Sequence, residues 1–129
     1  MGSGVVEVAA GLVERDGCIL ITRRKAGSHL EGLWEFPGGK REPAESWDDC
    51  LVRELREELG IGVAVGALRH ETVHEYPGKT VHLRFYAAVL TSGEPRAIEC
   101  QEVAWVRPAD LPRYEFPEAD RELVALLAR

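Results

Sequence analysis

At 129 residues, 45% of them hydrophobic and 29% charged, the chain has the balance of a folded globular domain and is too short for two independent cores. No apolar run approaches the roughly 18 residues that span a bilayer, and the formal charge of -6 opposes binding to a nucleic-acid polymer, which is held through Lys and Arg. A small phosphorylated substrate that brings its own cations stays compatible with that charge.

The opening, MGSGVVEV, lacks the basic-then-apolar order of a secretory signal, and Val6 stands where a myristoylation site needs Ser or Thr. Residues 1–4 read as an appended tail, and 1–129 as a single domain. The stretch VVEVAAGLVERDGCILITRR predicts two strands joined at Asp16-Gly17, because Asp-Gly between apolar runs favours a two-residue hairpin. Cys18, Cys50 and Cys100 are odd in number and form no C-x-x-C pair, which supports neither a disulfide framework nor a zinc knuckle. A reducing cytoplasm is expected. Nothing in the chain specifies an oligomer, and a monomer is the default.

GLWEFPGGKREPA carries so many Gly and Pro residues that it predicts a short strand at Leu33 to Phe36 and otherwise loop. Ser46, with Asp49 three residues on, then opens a helix, Asp48 and Asp49 complement its dipole, and Gly60 stops it. Leu51, Val52, Leu55 and Leu59 form its apolar arc, and Glu54, Glu57 and Glu58 an adjoining one. Two strands follow around Tyr76-Pro77-Gly78, the second with Val81, Leu83, Phe85, Ala87 and Val89 in alternation. EVAWV at 102–106 predicts a further strand. PEADRELVALLAR predicts a terminal helix with Leu123, Val124, Leu126 and Leu127 on one face.

Three motif look-alikes fail on geometry. HETVH at 70–74 matches the H-E-x-x-H zinc pattern, but β-branched neighbours make it strand, where histidines four apart are separated by about 13 Å and cannot share a zinc. GIGVAVG follows a helix and opens a strand, the reverse of a dinucleotide fingerprint. PGGKR lacks both the earlier Gly and the hydroxyl of a phosphate-binding loop.

Glu54 and Glu58 form a like-charge i,i+4 pair that costs a few tenths of a kcal/mol in an isolated helix. Taken alone, the acids read as a solvated face with Arg53 and Glu57 as an ion pair. A divalent cation would reverse the sign of that repulsion. Magnesium takes oxygen ligands in octahedral geometry, commonly a few carboxylates plus substrate phosphates, and a glycine-rich loop beside the helix can add carbonyl oxygens.

The stretch from Gly39 to Ile61, GKREPAESWDDCLVRELREELGI, resembles the Nudix box, G-x5-E-x7-R-E-U-x-E-E-x-G-U with U apolar, at every specified position. ITRR, WEFPGGK, ECQEVAWV and PEAD extend the resemblance over nearly the whole chain, toward the MutT-like branch that includes 8-oxo-dGTP diphosphatases and CTP pyrophosphohydrolases. The resemblance implies an α/β/α sandwich around a mixed sheet. It also implies hydrolysis of a nucleoside triphosphate to monophosphate and pyrophosphate with magnesium or manganese.

Carried over position by position, it makes Glu54, Glu57 and Glu58 metal ligands with the Gly39 carbonyl beside them. Arg53 orients the glutamates, and Glu45 binds or positions metal. Glu99 is the acid outside the box, with Glu102 as its rival. Arg24 contacts phosphate, with Arg23 its neighbour and Lys79 a second candidate, while Phe36, Phe116 and Pro117 wall a base pocket. Asp120 stands where MutT has Asn. An Asn amide both donates and accepts and so suits O6 and N7–H of 8-oxoguanine, whereas an ionised Asp only accepts. Asp120 would then read an amino-bearing base such as guanine or cytosine, unless a raised pKa lets it donate. The expectation is therefore an 8-oxo-dGTP sanitising hydrolase, with CTP or a modified dCTP as the alternative substrate. A non-catalytic nucleotide-binding module and a zinc peptidase are the readings from other classes.

Overall fold

The computed structural model describes residues 4–129. The appended-tail reading of residues 1–4 therefore falls outside the described residues, except for Gly4, whose carbonyl accepts from the Thr80 N–H at 3.4 Å. In chain order the elements are β1 (Val5–Arg15), β2 (Cys18–Arg23), β3 (Trp34–Glu35), β4 (Gly38–Lys40), α1 (Trp47–Leu59), β5 (Gly62–Tyr76), β6 (Lys79–Ser92), β7 (Glu102–Val106) and α2 (Arg121–Leu127). Turns of 3-10 helix lie at Pro108–Arg113 and Glu118–Asp120.

The first hairpin turns where the sequence predicts. Asp16 and Gly17 take φ of 52° and 78°, the two successive left-handed residues of a type I′ turn. β1 and β2 pair only at Glu14↔Ile19 and Arg15↔Cys18 and then part. The segment after the loop fills the gap, β3 bonding β2 at Thr22↔Glu35 and β4 bonding β1 at Ala9↔Gly39 and Ala10↔Gly38. Between them the Gly11 N–H donates to the Pro37 carbonyl at 2.8 Å. β4 is strand where the sequence predicts loop. Gly38 is there for close approach: a Cβ on it would lie 1.9 Å from the Ala9 carbonyl oxygen.

β1 runs parallel to β6 from Val5↔Thr80 to Glu14↔Val89, β5 pairs antiparallel outside β6, and β7 pairs antiparallel to β2. The sheet is therefore mixed, and helices cover both faces. Leu51, Leu55 and Leu59 of α1 pack on Ala9, Val13, Leu20, Tyr86 and Ala88. On the other face Leu123 and Val124 of α2 pack with Ile19, Ile21, Phe36, Phe85 and Phe116. Double coverage explains why Phe85 and Tyr86 are both buried although adjacent, against simple alternation. Val89 departs from it in the other direction, at 65% exposed.

α1 begins and ends as its sequence predicts. The Ser46 hydroxyl accepts from the Asp49 N–H at 3.0 Å, and Gly60 closes the helix in the left-handed region at φ 70°. The terminal helix is shorter than expected, because Pro117 opens a 3-10 turn before α2 starts at Arg121. Leu123, Val124 and Leu127 face the core. Leu126 lies roughly 110° round from their mean at the helical spacing and is exposed.

Candidate active site

α1 presents Arg53, Glu54, Glu57 and Glu58 toward the loop that β4 begins. Arg53 uses all five of its N–H donors. Nε and Nη2 grip Glu45 at 2.6 and 2.9 Å, Nη2 also donates to the Lys40 carbonyl at 3.1 Å, and Nη1 reaches Glu54 at 3.1 Å and Glu57 at 3.2 Å. Glu45 accepts in addition from the Glu42 N–H at 3.1 Å. These bonds, led by the one from Arg53, pull its carboxyl down to about 2.

Glu54 lies against Gly39, where a Cβ would stand 2.2 Å from the Glu54 carboxyl carbon. The Gly39 carbonyl faces the Cys50 thiol at 3.5 Å. One Glu58 carboxylate oxygen is buried without a hydrogen-bond partner. Burial first, then the charges of Glu35, Glu54 and Glu99, pushes the Glu58 carboxyl up to about 8. The Ile98 and Glu99 N–H groups both donate to the Glu58 carbonyl at 3.2 Å, so the loop carrying Glu99 is tied to the end of α1. Glu102 is instead paired with Arg23 at 3.4 Å.

Among the described residues no three acid, His or Cys side chains already stand as a ligand set, since Arg53 occupies Glu54 and Glu57. An orphaned, buried carboxylate oxygen surrounded by other acids nevertheless has the chemistry of a divalent-cation site, for which hard oxygen donors are needed.

Beside these acids a cavity of about 220 Å³ opens between β1, β6 and the loop before β3. Gly39 lines one end and so joins the cavity to the acids, while Pro117, Ala119 and Asp120 line another part of its wall. Phe36 and Phe85 contribute aromatic wall, and Arg24 and Lys79 contribute positive charge. Asp120 is 6% exposed, and burial, with Glu35 adding repulsion, pushes its carboxyl up to about 7.

Two expected pocket residues lie elsewhere. Arg23 turns its side chain to the Gly32 carbonyl at 3.0 Å and to Glu102, because neighbours at the end of a strand point to opposite sides. Phe116 is buried behind Phe36, stacked on it with centroids 5.2 Å apart. It supports the wall without lining this cavity.

Glu35 lines the cavity and is absent from the sequence-based expectations. It pairs with Arg24 at 3.0 Å, and burial raises its pKa against the pull of Arg24. The only hint in the sequence was an acid set between Trp34 and Phe36. HETVH lies wholly within β5, with His70 against Phe85 and His74 against Tyr76, as the strand reading requires.

The NUDIX domain family matches residues 8–126. The CTP pyrophosphohydrolase of Escherichia coli K12 is 42% identical over 120 residues, covering 93% of this chain and 89% of that protein. The 8-oxo-dGTP diphosphatase of the same organism is 34% identical over 125 residues, covering 96% and 97%. Among solved structures, a MutT NUDIX hydrolase from Burkholderia pseudomallei superposes with a TM-score of 0.84 at 30% identity, covering 94% of this chain and 96% of that one.

Proposed function

The chain belongs to the NUDIX domain family, and from that premise we propose that it hydrolyses nucleoside triphosphates to monophosphate and pyrophosphate, with magnesium or manganese and with 8-oxo-dGTP as preferred substrate. The observation that carries the substrate choice is Asp120. At a pKa of about 7 its carboxyl is in part protonated at neutral pH, and in that form its O–H can donate to O6 while its carbonyl oxygen accepts from N7–H. In that way it supplies what an Asn amide would.

Glu54, Glu57, Glu58 and the Gly39 carbonyl, with Glu99 from the neighbouring loop, would hold the cation. When bound, such a cation neutralises the phosphate chain and acidifies a water. Arg53 sets the rotamers of Glu54 and Glu57, and Glu45 fixes Arg53. Arg24 and Lys79 would take the phosphates, with a phosphate oxygen replacing Glu35 on Arg24. Phe36 and Pro117 would hold the base flat while Asp120 reads its edge. The same proposal places the protein in the cytoplasm as a monomer, with Cys18, Cys50 and Cys100 as free thiols.

A second reading has its own support. Glu35 adds another carboxyl near Asp120, and two acceptors suit the amino group of cytosine. The relative at 42% identity is named for CTP. A panel of 8-oxo-dGTP, dGTP, CTP and 5-methyl-dCTP, followed for pyrophosphate with and without magnesium, decides between them. The highest kcat/KM on 8-oxo-dGTP is expected. A cytosine preference overturns the base assignment alone, and no release from any of the four overturns the activity.

A further inference from the structure

We propose that Arg41 is a positioning residue for the cation site: it fixes the backbone of Glu45, so that Glu45 meets Arg53 in register and Arg53 in turn sets Glu54 and Glu57. The inference rests on the cation-site reading above. Arg41 fills an unspecified place in the box, lines no cavity wall and makes no hydrogen bond to Glu54, Glu57, Glu58 or Glu99; whatever it does, it does through Glu45.

Its contacts join three elements. The Arg41 N–H donates to the Glu7 carbonyl of β1 at 2.8 Å, and its Nε to the Glu7 carboxylate at 3.0 Å, with Nη2 on the same oxygen. Nη1 donates to the Glu45 carbonyl at 2.6 Å. The guanidinium also lies 5.4 Å from the ring centre of Trp47, the first residue of α1. Trp47 in turn carries Arg84 at 4.4 Å, which Glu71 holds at 2.8 Å.

Glu45 is therefore held at both ends, its carboxylate by Arg53 and its carbonyl by Arg41. If the Arg41 side chain is removed, the loop from Arg41 to Ser46 keeps only its backbone bond to β1, and the bidentate Glu45–Arg53 contact loses the side-chain clamp that aligns it. An ammonium cannot replace this arrangement. A planar fork reaches Glu7 and the Glu45 carbonyl together while resting on an indole, and Lys has one charged point to offer.

The probe is Mn2+ alone, titrated into the full nucleotide-free chain with free Mn2+ read by electron paramagnetic resonance, alongside kcat and KM at saturating metal. Arg41→Lys and Arg41→Gln are each expected to weaken Mn2+ binding about ten-fold, the usual size of an effect exerted on ligands from behind. The nucleotide KM is expected to stay within about two-fold, since no phosphate contact changes. Glu7→Gln should act in the same direction, and Arg41→Gln with Glu7→Gln should be no worse than Arg41→Gln alone. If Arg41→Gln does not fold, Arg41→Lys and Glu7→Gln carry the test. Unchanged Mn2+ affinity in variants with wild-type circular dichroism overturns the role of Arg41 and leaves the cation site standing. Failure of the wild-type chain to bind Mn2+ overturns the cation site, and this inference with it.

Discussion

Arg53 and Glu45 meet fork to fork, Nε and Nη2 of one lying 2.6 and 2.9 Å from the two carboxylate oxygens of the other. The same guanidinium spends its remaining donors on Glu54, Glu57 and the Lys40 carbonyl. A lysine could satisfy only part of that set. Arg53→Lys is expected to lower kcat by about 100-fold, at the upper end for groups that orient ligands, while KM changes little. Steady-state kinetics across a magnesium series measure this, and activity within two-fold of wild type would show that the five-bond arrangement is dispensable.

Glu57 is the most exposed of the acids that Arg53 holds, its side chain 53% accessible. Removing its charge costs the fold little, since such surface pairs contribute about 0.5 kcal/mol. Glu57→Gln should therefore melt within a few degrees of wild type yet lose most of its turnover, and chelation with EDTA should abolish what is left. Near-normal turnover would refute a ligand role for Glu57.

Gly38 and Gly39 are adjacent, yet alanine should harm them in different ways. At Gly38 the new methyl would meet the Ala9 backbone at 1.9 Å, and backbone cannot yield without opening the β1–β4 pairing. At Gly39 it would meet the end of the Glu54 side chain, which can rotate away. Gly38→Ala is expected to destabilise by about 3 kcal/mol or more, as overpacking does. Gly39→Ala should keep its stability within about 1 kcal/mol, because only a side-chain end must move, and lose metal affinity. Urea unfolding and Mn2+ titration of the pair separate the two; equal loss of stability would contradict the assignment.

Asp120 carries a proton in the folded chain up to about pH 7, whereas an unfolded Asp releases it near 3.9. The folded state therefore binds more protons across that window, and this group makes stability fall as pH rises from about 4 to 7. Linkage puts the full penalty at about 4 kcal/mol above pH 7. Asp120→Asn should match wild type in stability at pH 4 and exceed it at pH 8, with kcat/KM for 8-oxo-dGTP no longer declining through neutrality. Parallel denaturation curves at the two pH values would show that burial does not hold the proton there.

Legibility in the sequence followed the range of the interactions. Asp16-Gly17, Ser46 with Asp49, and Gly60 act within a few residues, and each turn or cap lies where local chemistry requires. A similarly fixed spacing brings Glu54, Glu57 and Glu58 together on α1, but their reading as cation ligands comes from the resemblance of Gly39 to Ile61 to the Nudix box and not from the spacing. β4 was not legible, because Gly38 reads locally as a breaker and becomes strand only when Ala9, far along the chain, comes against it. Glu35 is not marked out locally, because its character comes from burial beside Arg24, and it acts on Asp120, which only the folded sheet brings near it. Arg24 and Pro117 line the cavity while Arg23 and Phe116 do not, a choice the sequence leaves open because it does not say which member of an adjacent pair faces inward.

The splayed hairpin has a consequence for the order in which the molecule assembles. β1 is completed on one edge by β4 and on the other by β6, whose partner residues run from Thr80 to Val89. During synthesis, every acid from Glu45 to Glu58 emerges before the strand that closes the sheet beneath them. Contacts of such long sequence separation form late and slowly, so the nascent chain holds its acids without the geometry that would let them trap a cation. The Gly11 amide, bonded to Pro37 at the centre of the wedge, should exchange with solvent only through global unfolding, making hydrogen exchange at that one position a readout of whether the segment from Pro37 to Lys40 ever opens independently.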